Sequence, residues 1–226
     1  MSIAKLFPCP VKRERRKEAR PGELLSAALD LFVEKGYAAT RVEEVAARAG
    51  VSKGTLFLYF PSKEELFKAV VRENISGNFK DWNEQLESFE GSTMEMLGFC
   101  MNSWWDRVGA TRASGINKLM VGEAGNFPDI AAFYQREVIQ PGHLLIRRVL
   151  QRGIDRGEFR PVDLDYAVYS VVAPMIFLFL SRHSMGVCMS NQHAIEPKKY
   201  IASQLSIILH GLSHRPVDAV PDDKKA

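Results

Sequence analysis

The chain has 226 residues, of which 46% are hydrophobic and 25% charged, and its formal net charge is +3. This composition supplies a sizeable core, and the length allows one large domain or two ordinary ones. The three cysteines are scattered without metal-ligand spacing, which argues against a metal site and favours free thiols in a reducing cytoplasm. The apolar run 167–180 is too short to span a bilayer and is interrupted by Ser170 and Pro174, so we expect no membrane partner.

The positive charge is concentrated near the N-terminus. Residues 1–76 contain 14 Lys and Arg against 10 Asp and Glu, whereas the remainder contains 16 against 17. Such a surplus suits nucleic-acid binding, although on charge alone solubility explains it equally well. Residues 1–19 have no apolar period and are predicted to form a flexible basic arm. That arm either follows a DNA backbone or minor groove, or is a solvated tail.

Two helices are predicted next. The first begins at Pro21, ends at Gly36, and has one apolar face formed by Leu24, Leu25, Ala28, Leu31 and Phe32. Thr40 and Glu43 have the spacing of a capping box, which predicts the start of a short second helix. Gly50 ends that helix, since glycine enters the left-handed conformation without steric cost.

A third helix follows after a tight turn. Ser52 is predicted to cap it, and the next residues, Lys53, Gly54 and Thr55, leave its first turn unobstructed, as close approach to DNA requires. After Pro61, Ser62 and Glu65 form another capping box. Lys63 then lies at a positive helix end, where a cation is disfavoured unless an anion such as a phosphate is near.

This stretch, residues 40–63, resembles the helix-turn-helix of the tetracycline-repressor (TetR) family of bacterial transcription regulators. Nearly every fixed position of the family pattern is matched, by Thr40, Val45, Ala46, Ala49, Gly50, Val51, Ser52, Gly54, Thr55, Leu56, Tyr59, Phe60, Ser62, Lys63, Glu64 and Leu66. Two positions differ. Phe57 replaces the usual tyrosine and lacks a hydroxyl for a phosphate. Leu58 fills an often polar position, where it is suited to contact a thymine methyl group.

The remaining pattern is helical throughout, which predicts an all-α fold with a helix-turn-helix DNA-binding domain at 20–76 and a larger domain at 77–213. The helix opened by Ser62 is predicted to continue to about Phe89 as a lever between the domains. Pro141 and Gly142 are expected to interrupt a later helix. Residues 186–195 are predicted to be a loop, and residues 214–226 a polar tail.

One recognition helix reads only a few base pairs, so we expect a homodimer on a palindromic operator. The last two long helices are predicted to form the dimer interface, as the resemblance also implies. Lys53 and Thr55 are the expected base readers. The complete set of predicted DNA contacts is Thr40, Arg41, Ser52, Lys53, Gly54, Thr55, Phe57, Leu58, Tyr59 and Lys63.

The larger domain is predicted to bind a small apolar effector that releases the protein from DNA, which makes a ligand-responsive repressor the favoured function. Met and aromatic side chains adapt to varied ligands, although at helical spacing each is more often ordinary core. Glu123 and His143 are candidates to orient the ligand. The predicted effector contacts are Phe99, Trp104, Trp105, Met120, Phe133, Tyr134, Tyr169, Met175 and Phe177.

Two other function classes are compatible with parts of the sequence. An enzyme is disfavoured, because His210 and His214 have no carboxylate or thiolate arranged to complete a metal site, and no nucleotide or nucleophile motif is present. No cofactor is expected. The alternative that stays open is a DNA-binding protein of the same fold that acts through a protein partner, without a small-molecule effector.

Overall fold

The computed structural model describes residues 11–184 and 195–213, and the side chains from Arg20 onward. Within these residues every regular element is helical, as predicted. The α-helices are α1 (Val11–Ala39), α2 (Val42–Arg48), α3 (Lys53–Tyr59), α4 (Lys63–Asn74), α5 (Phe79–Glu87), α6 (Thr93–Trp104), α7 (Ser114–Glu123), α8 (Pro128–Tyr134), α9 (Gln140–Asp155), α10 (Leu164–His183) and α11 (Pro197–Leu212). The predicted polar tail, residues 1–10 of the predicted arm and most of the predicted loop at 186–195 lie outside the described residues.

The N-terminal unit packs α1 across α2 and α4. Its centre is an aromatic cluster in which the Phe32 ring meets the Phe67 ring edge-on at 5.2 Å and the Tyr37 ring at 5.7 Å. Leu24 and Leu66 are fully buried in the same core. Each such side chain contributes about 1.5–3 kcal/mol through burial, which stabilises helices too short to persist alone.

α1 begins at Val11, ten residues before the predicted start at Pro21. Residues 11–19, predicted as part of a flexible arm, are therefore helical. Proline removes one backbone hydrogen bond, but the Lys, Arg, Glu and Ala residues before it have high helix propensity and extend the helix across it.

The predicted lever is broken. α4 ends at Asn74, Ile75 has non-helical backbone angles, and a short 3-10 turn at Ser76–Asn78 precedes α5. Gly77 suits this break, because a Cβ there would lie 2.6 Å from the Arg72 carbonyl oxygen. The Asn74 and Asn78 side chains donate to nearby carbonyl groups and so compete with continuation of the helix. The break falls at the predicted domain boundary.

Two π-helical segments interrupt the C-terminal unit, at Trp105–Gly109 and Gln135–Ile139. The second ends at Ile139, two residues before Pro141, close to where an interruption was predicted. Proline cannot donate to the carbonyl four residues earlier, so the hydrogen-bond ladder shifts and α8 continues into α9 through the wider turn.

The two units share one hydrophobic core, which extends from Leu24 to Ile201. α1 packs on α7, where Val33 lies so close to Gly115 that a Cβ on the glycine would be 2.5 Å from it. α4 meets α8, and Arg72 forms a bidentate ion pair with Glu137 at 3.0 Å for both contacts. These contacts join the two units.

α10 has a second apolar face beyond the one that it buries. Val168, Val171, Met175, Leu178 and Phe179 are buried, whereas Tyr166, Tyr169, Ile176 and Phe177 are exposed. Leu164–His183 is also the one described helix long and apolar enough to cross a membrane by length and composition. The helix contains the run 167–180 and extends beyond it at both ends. Its contacts with α7, α9 and α11 are those of a core helix.

Candidate nucleic-acid interface

The first turn of α3 is held by its own side chains. Ser52 is the N-cap, as predicted. It accepts a hydrogen bond from the Thr55 N–H at 3.0 Å, and its Oγ lies 2.9 Å from Thr55 Oγ1. Gly50, with a φ of 67°, reverses the chain just before, and the Val51 N–H donates to the Ala46 carbonyl at 2.9 Å. The turn therefore holds α3 in a defined orientation on α2.

Most side chains of α3 face outward. Leu56 is fully buried in the core, whereas Lys53, Gly54 and Phe57 are exposed and Leu58 is 84% exposed. A seven-residue helix with one buried side chain is an unusual element to find without a partner on its outer face. The outer face of α3 is thus the natural contact surface for a duplex.

The protein fold does not require a glycine at position 54. A Cβ there would meet the Ser52 Oγ at 3.7 Å, an ordinary contact. Glycine nevertheless costs about 1 kcal/mol relative to alanine within a helix. The absence of a side chain at Gly54 is best explained by something that approaches from outside.

Lys53 is bound to a partner that the sequence did not indicate. Its Nζ lies 2.6 Å from Glu43 Oε1 on α2 and 5.7 Å from the centroid of the Phe57 ring. The hydrogen bond from Lys53 lowers the pKa of the Glu43 carboxyl. Both side chains are more than half exposed, so the pair is weak and can open when a phosphate or base arrives.

Thr40 does not cap α2, contrary to the prediction. Its side chain is buried and donates to the carbonyl oxygens of Gly36 at 2.7 Å and Leu31 at 3.1 Å. The N-cap is Arg41, whose N–H faces the Glu44 carboxylate at 3.5 Å. A phosphate contact by the Thr40 hydroxyl would break these bonds, so this geometry disfavours it. Arg41 is exposed at the start of α2, and its phosphate contact stays a prediction.

Lys63 also has a different environment from the one predicted. Its ammonium group donates to the carbonyl oxygens of Tyr37 at 2.9 Å, Ala38 at 3.2 Å and Thr40 at 3.1 Å, and burial lowers its pKa. An ammonium group has three donors. All three therefore satisfy carbonyls at the end of α1, and the predicted phosphate contact would have to replace one of them. Tyr59 is half-buried against the core, so its phosphate contact likewise stays a prediction.

Some predicted effector residues come together in the C-terminal core. The Trp104 and Trp105 rings lie 4.4 and 6.3 Å from the Phe179 ring, and Met120 and Met175 are buried in the same core. Tyr134 is also buried, which raises the pKa of its phenol, and it donates to Asn117 Oδ1 at 2.6 Å. These residues form an apolar core that is rich in aromatic side chains and has few polar groups.

Other predicted effector residues lie elsewhere. Phe99, Tyr169 and Phe177 are exposed on the surfaces of α6 and α10. Phe133 is buried at the junction of the two units, where the cations of Lys68, Arg72 and Arg136 lie within 6.0 Å of its ring centroid. Helical spacing identified these four as apolar, but the side of the helix that faces the interior depends on the packing.

The two polar candidates also differ from expectation. Glu123 accepts hydrogen bonds from the Tyr37 N–H at 3.0 Å and the Ala38 N–H at 2.9 Å, and so contacts the N-terminal unit. His143 is partly buried beside the Tyr169 ring at 5.1 Å, and burial lowers its pKa. The described residues contain no cluster of His, Cys, Asp and Glu suited to a metal ion.

Two family models match the chain. Residues 24–70 match the model described as bacterial regulatory proteins, tetR family, and residues 91–186 match the model described as tetracyclin repressor-like, C-terminal domain. The chain belongs to the TetR family. The helix-turn-helix and the C-terminal helices are those of TetR-family transcriptional regulators, which are not enzymes.

Sequence relatives within the TetR family agree with this assignment. The HTH-type transcriptional regulator RutR of Escherichia coli is 52% identical over 62 residues, which are 27% of this chain and 29% of RutR. The match thus spans less than a third of that relative. The HTH-type transcriptional repressor KstR2 of Mycolicibacterium smegmatis is 25% identical over 205 residues, which cover 88% of this chain and 94% of KstR2.

Solved TetR-family structures share the whole fold. The fatty acid degradation regulator FadR from Bacillus halodurans has a TM-score of 0.70 and 21% identity, with 93% of this chain and all of FadR covered. FadR from Bacillus subtilis, solved in complex with stearoyl-CoA, has a TM-score of 0.61 and 18% identity, with 84% and 98% covered. At these identities the likeness concerns the fold alone.

Proposed function

We propose that this protein is a homodimeric repressor that binds a palindromic operator through α3 of each copy and is released by a small apolar effector. The observation that supports this best is the outer face of α3, where Lys53, Gly54 and Leu58 are exposed on a short helix fixed by its own cap. Lys53 and Thr55 read base edges in the major groove, and Arg41 contacts a phosphate.

The proposed dimer interface is formed by α10 and α11. Tyr166, Tyr169, Ile176 and Phe177 are exposed on one side of α10, and Ile207 is exposed on α11. The two helices pack against each other, and both carry exposed apolar side chains. Two copies of this helix pair, related by a twofold axis, would bury that surface as a four-helix bundle. The twofold axis is what requires a palindromic operator.

The proposed effector is a lipid-like molecule. The likeness to FadR from Bacillus halodurans, a fatty acid degradation regulator, and to FadR from Bacillus subtilis, solved with stearoyl-CoA, supports this choice. The interior of this chain, with Trp104, Trp105 and Phe179 together and Met175 beside them in the core, is apolar and adaptable. An effector that binds better when α3 of the two copies is spaced incorrectly for DNA would release the operator. The protein would act in the cytoplasm.

The test begins with selection of binding sites from random duplexes by the purified full chain. We expect an inverted repeat with half-sites about one helical turn, or a multiple, apart, and a dimer by light scattering. Fluorescence anisotropy then measures operator affinity with and without decanoic acid and decanoyl-CoA. A monomer, or an operator affinity unchanged by every compound that demonstrably binds, would refute the proposal. In the latter case a protein partner becomes the better candidate for control.

A further inference from the structure

Trp82 has a buried hydrogen-bond donor without an acceptor. The side chain lies on α5, is 6% exposed and packs in the shared core. Among the described side chains, its Nε1 is the one buried nitrogen or oxygen with no hydrogen-bond partner. The Phe79 ring meets the indole edge-on at 5.3 Å, so the ring itself is firmly placed.

An orphaned donor of this kind costs about 1–3 kcal/mol relative to a paired one. Phenylalanine would fill much of the same space without that cost. Buried polar groups in native proteins nearly always have partners, so the exception needs a physical explanation. A molecule that brings an acceptor to the Trp82 Nε1–H provides one.

A second donor group, the Arg107 guanidinium, lies over the Trp82 ring. The Arg107 guanidinium carbon is 5.8 Å from the centroid of the Trp82 ring, and one of its nitrogens donates to Gln85 Oε1 at 3.1 Å. A guanidinium has five N–H donors. Arg107 belongs to the π-helical segment Trp105–Gly109, and π-helical turns occur frequently at functional sites. An indole with an unpaired N–H and a guanidinium over its ring thus lie together between α5 and this segment.

We propose that Trp82 and Arg107 form the polar end of the effector site and bind an acyl oxygen atom, while the alkyl chain packs into the core next to Trp105. The inference rests on the proposed function, since it assigns the head group of the effector proposed there. Two donors, one of them a cation, select an acceptor with negative charge or a strong dipole. A free carboxylate and the carbonyl oxygen of an acyl thioester both satisfy this chemistry.

The test follows the indole N–H signals of the full chain by nitrogen-15 NMR. The chain has three tryptophans, and the signal that is missing from Trp82→Phe identifies the Trp82 N–H. The probes are decanoic acid, decanoyl-CoA and decyltrimethylammonium. We expect the Trp82 signal to move downfield with one or both acyl probes, because it gains an acceptor. The quaternary ammonium probe, which has the same chain but no acceptor, should leave it in place.

Three variants separate the site from general effects. Trp82→Phe and Arg107→Gln should each weaken binding of the effective acyl probe about tenfold or more, as loss of a hydrogen bond to a charged or strongly polar group does. Arg147→Gln makes the same charge change at an exposed arginine that pairs with Asp165, and should bind as the wild type does. Trp82→Phe should also unfold within a few degrees of the wild type, since it loses no hydrogen bond of the folded protein.

Operator affinity is measured on the same samples. If a probe releases the operator but does not shift the Trp82 signal, this site is rejected and the proposed function is retained. If a probe shifts the Trp82 signal but does not release the operator, the proposed function is rejected and the binding site is retained. No response of either kind rejects both. A stronger response to decanoic acid than to decanoyl-CoA, or the opposite order, tells which acyl source the site accepts.

Discussion

The carboxylate of Glu123, at the end of α7, accepts a hydrogen bond from the Tyr37 N–H at 3.0 Å although 86 residues separate them. The same carboxylate accepts from the Ala38 N–H at 2.9 Å. Gly36, with a φ of 84°, makes this approach possible, because a Cβ there would lie 2.1 Å from Glu123 Oε1. The end of α1 is therefore fixed between Glu123 on one side and the Lys63 ammonium on the other.

Because this contact links α7 to the end of α1, Glu123→Ala should weaken the effect of the effector on operator affinity. α7 also positions Asn117 against Tyr134, so a shift of α7 on effector binding would move the carboxylate and the end of α1 together. We expect the free energy of unfolding, measured in urea, to fall by about 1–2 kcal/mol, because two N–H groups lose a charged acceptor. The ratio of operator affinities with and without effector should also approach one. Glu84→Ala, at an exposed carboxylate 3.9 Å from Lys80, is the control and should alter neither quantity.

Gly54→Ala should separate stability from DNA binding. The new Cβ has room and alanine is the better helix former, so the protein should be as stable as the wild type or more stable by up to about 1 kcal/mol. Operator affinity should nevertheless fall by about tenfold or more, since the Cβ would meet the duplex. Gly122→Ala on α7 also places a methyl group in open space and should leave operator affinity intact. Equal affinity for the operator in both variants would contradict a close approach at Gly54.

Glu43→Gln should strengthen operator binding. The substitution frees Lys53 from its 2.6 Å partner and removes a negative charge beside the phosphates. We expect an increase of about two- to tenfold at low salt that shrinks as salt rises. Anisotropy titrations at several salt concentrations measure it, and Glu84→Gln controls for the change in net charge. An unchanged affinity would mean that Lys53 is not at the interface.

Local signals in the sequence identified much of this architecture. The caps at Ser52 and Ser62 involve side chains and N–H groups three residues apart, so the spacing of residue types is enough to predict them. Pro128 and Pro197 are the first residues of α8 and α11, a position that proline favours because its missing N–H is not needed there. Such features depend on neighbours in the chain and on little else.

The contacts around the DNA-binding helices, by contrast, join residues that are distant in the sequence. The carbonyl groups that accept hydrogen bonds from Lys63 are 23–26 residues away in the sequence. The N–H groups that donate to Glu123 are 85 and 86 residues away. Glu43 and Lys53 form an ion pair because the packing of α2 against α3 brings their side chains together. These features follow from tertiary packing, which the spacing of residue types does not reveal.

We predict that protonation of His183 lowers the free energy of unfolding in acid. Its Nε2 lies 2.7 Å from the buried Ser114 hydroxyl, and its pKa is lowered by burial and then by the cations of Arg182 and Lys118. The folded protein therefore binds fewer protons than the unfolded chain just below pH 6.5, and its stability falls as the pH drops through that region. Urea unfolding at pH 7 and pH 5 measures the difference. His183→Gln should show a smaller one, and an equal loss in the variant would assign the effect to other groups.

We predict that Leu58 contacts the methyl group of a thymine in the operator. The side chain is 84% exposed on the outer face of α3 and has no polar atom to offer a base. The thymine methyl is the apolar feature of the major groove, and burial of a methyl-sized group contributes about 0.8 kcal/mol, or roughly a fourfold change in affinity. Replacing thymine by uracil at the contacted position removes that methyl group alone, so the wild type should lose roughly this factor.

Leu58→Ala should lose affinity for the thymine operator and should no longer distinguish thymine from uracil at that position. The four affinities form a thermodynamic cycle, and its coupling energy isolates the contact from other effects of either change. Val121→Ala, which shortens another exposed apolar side chain on α7, is the matched control and should discriminate as the wild type does. A coupling energy of zero at every thymine of the half-site would show that Leu58 does not contact a methyl group, and Lys53 and Thr55 would then be the residues that distinguish the bases.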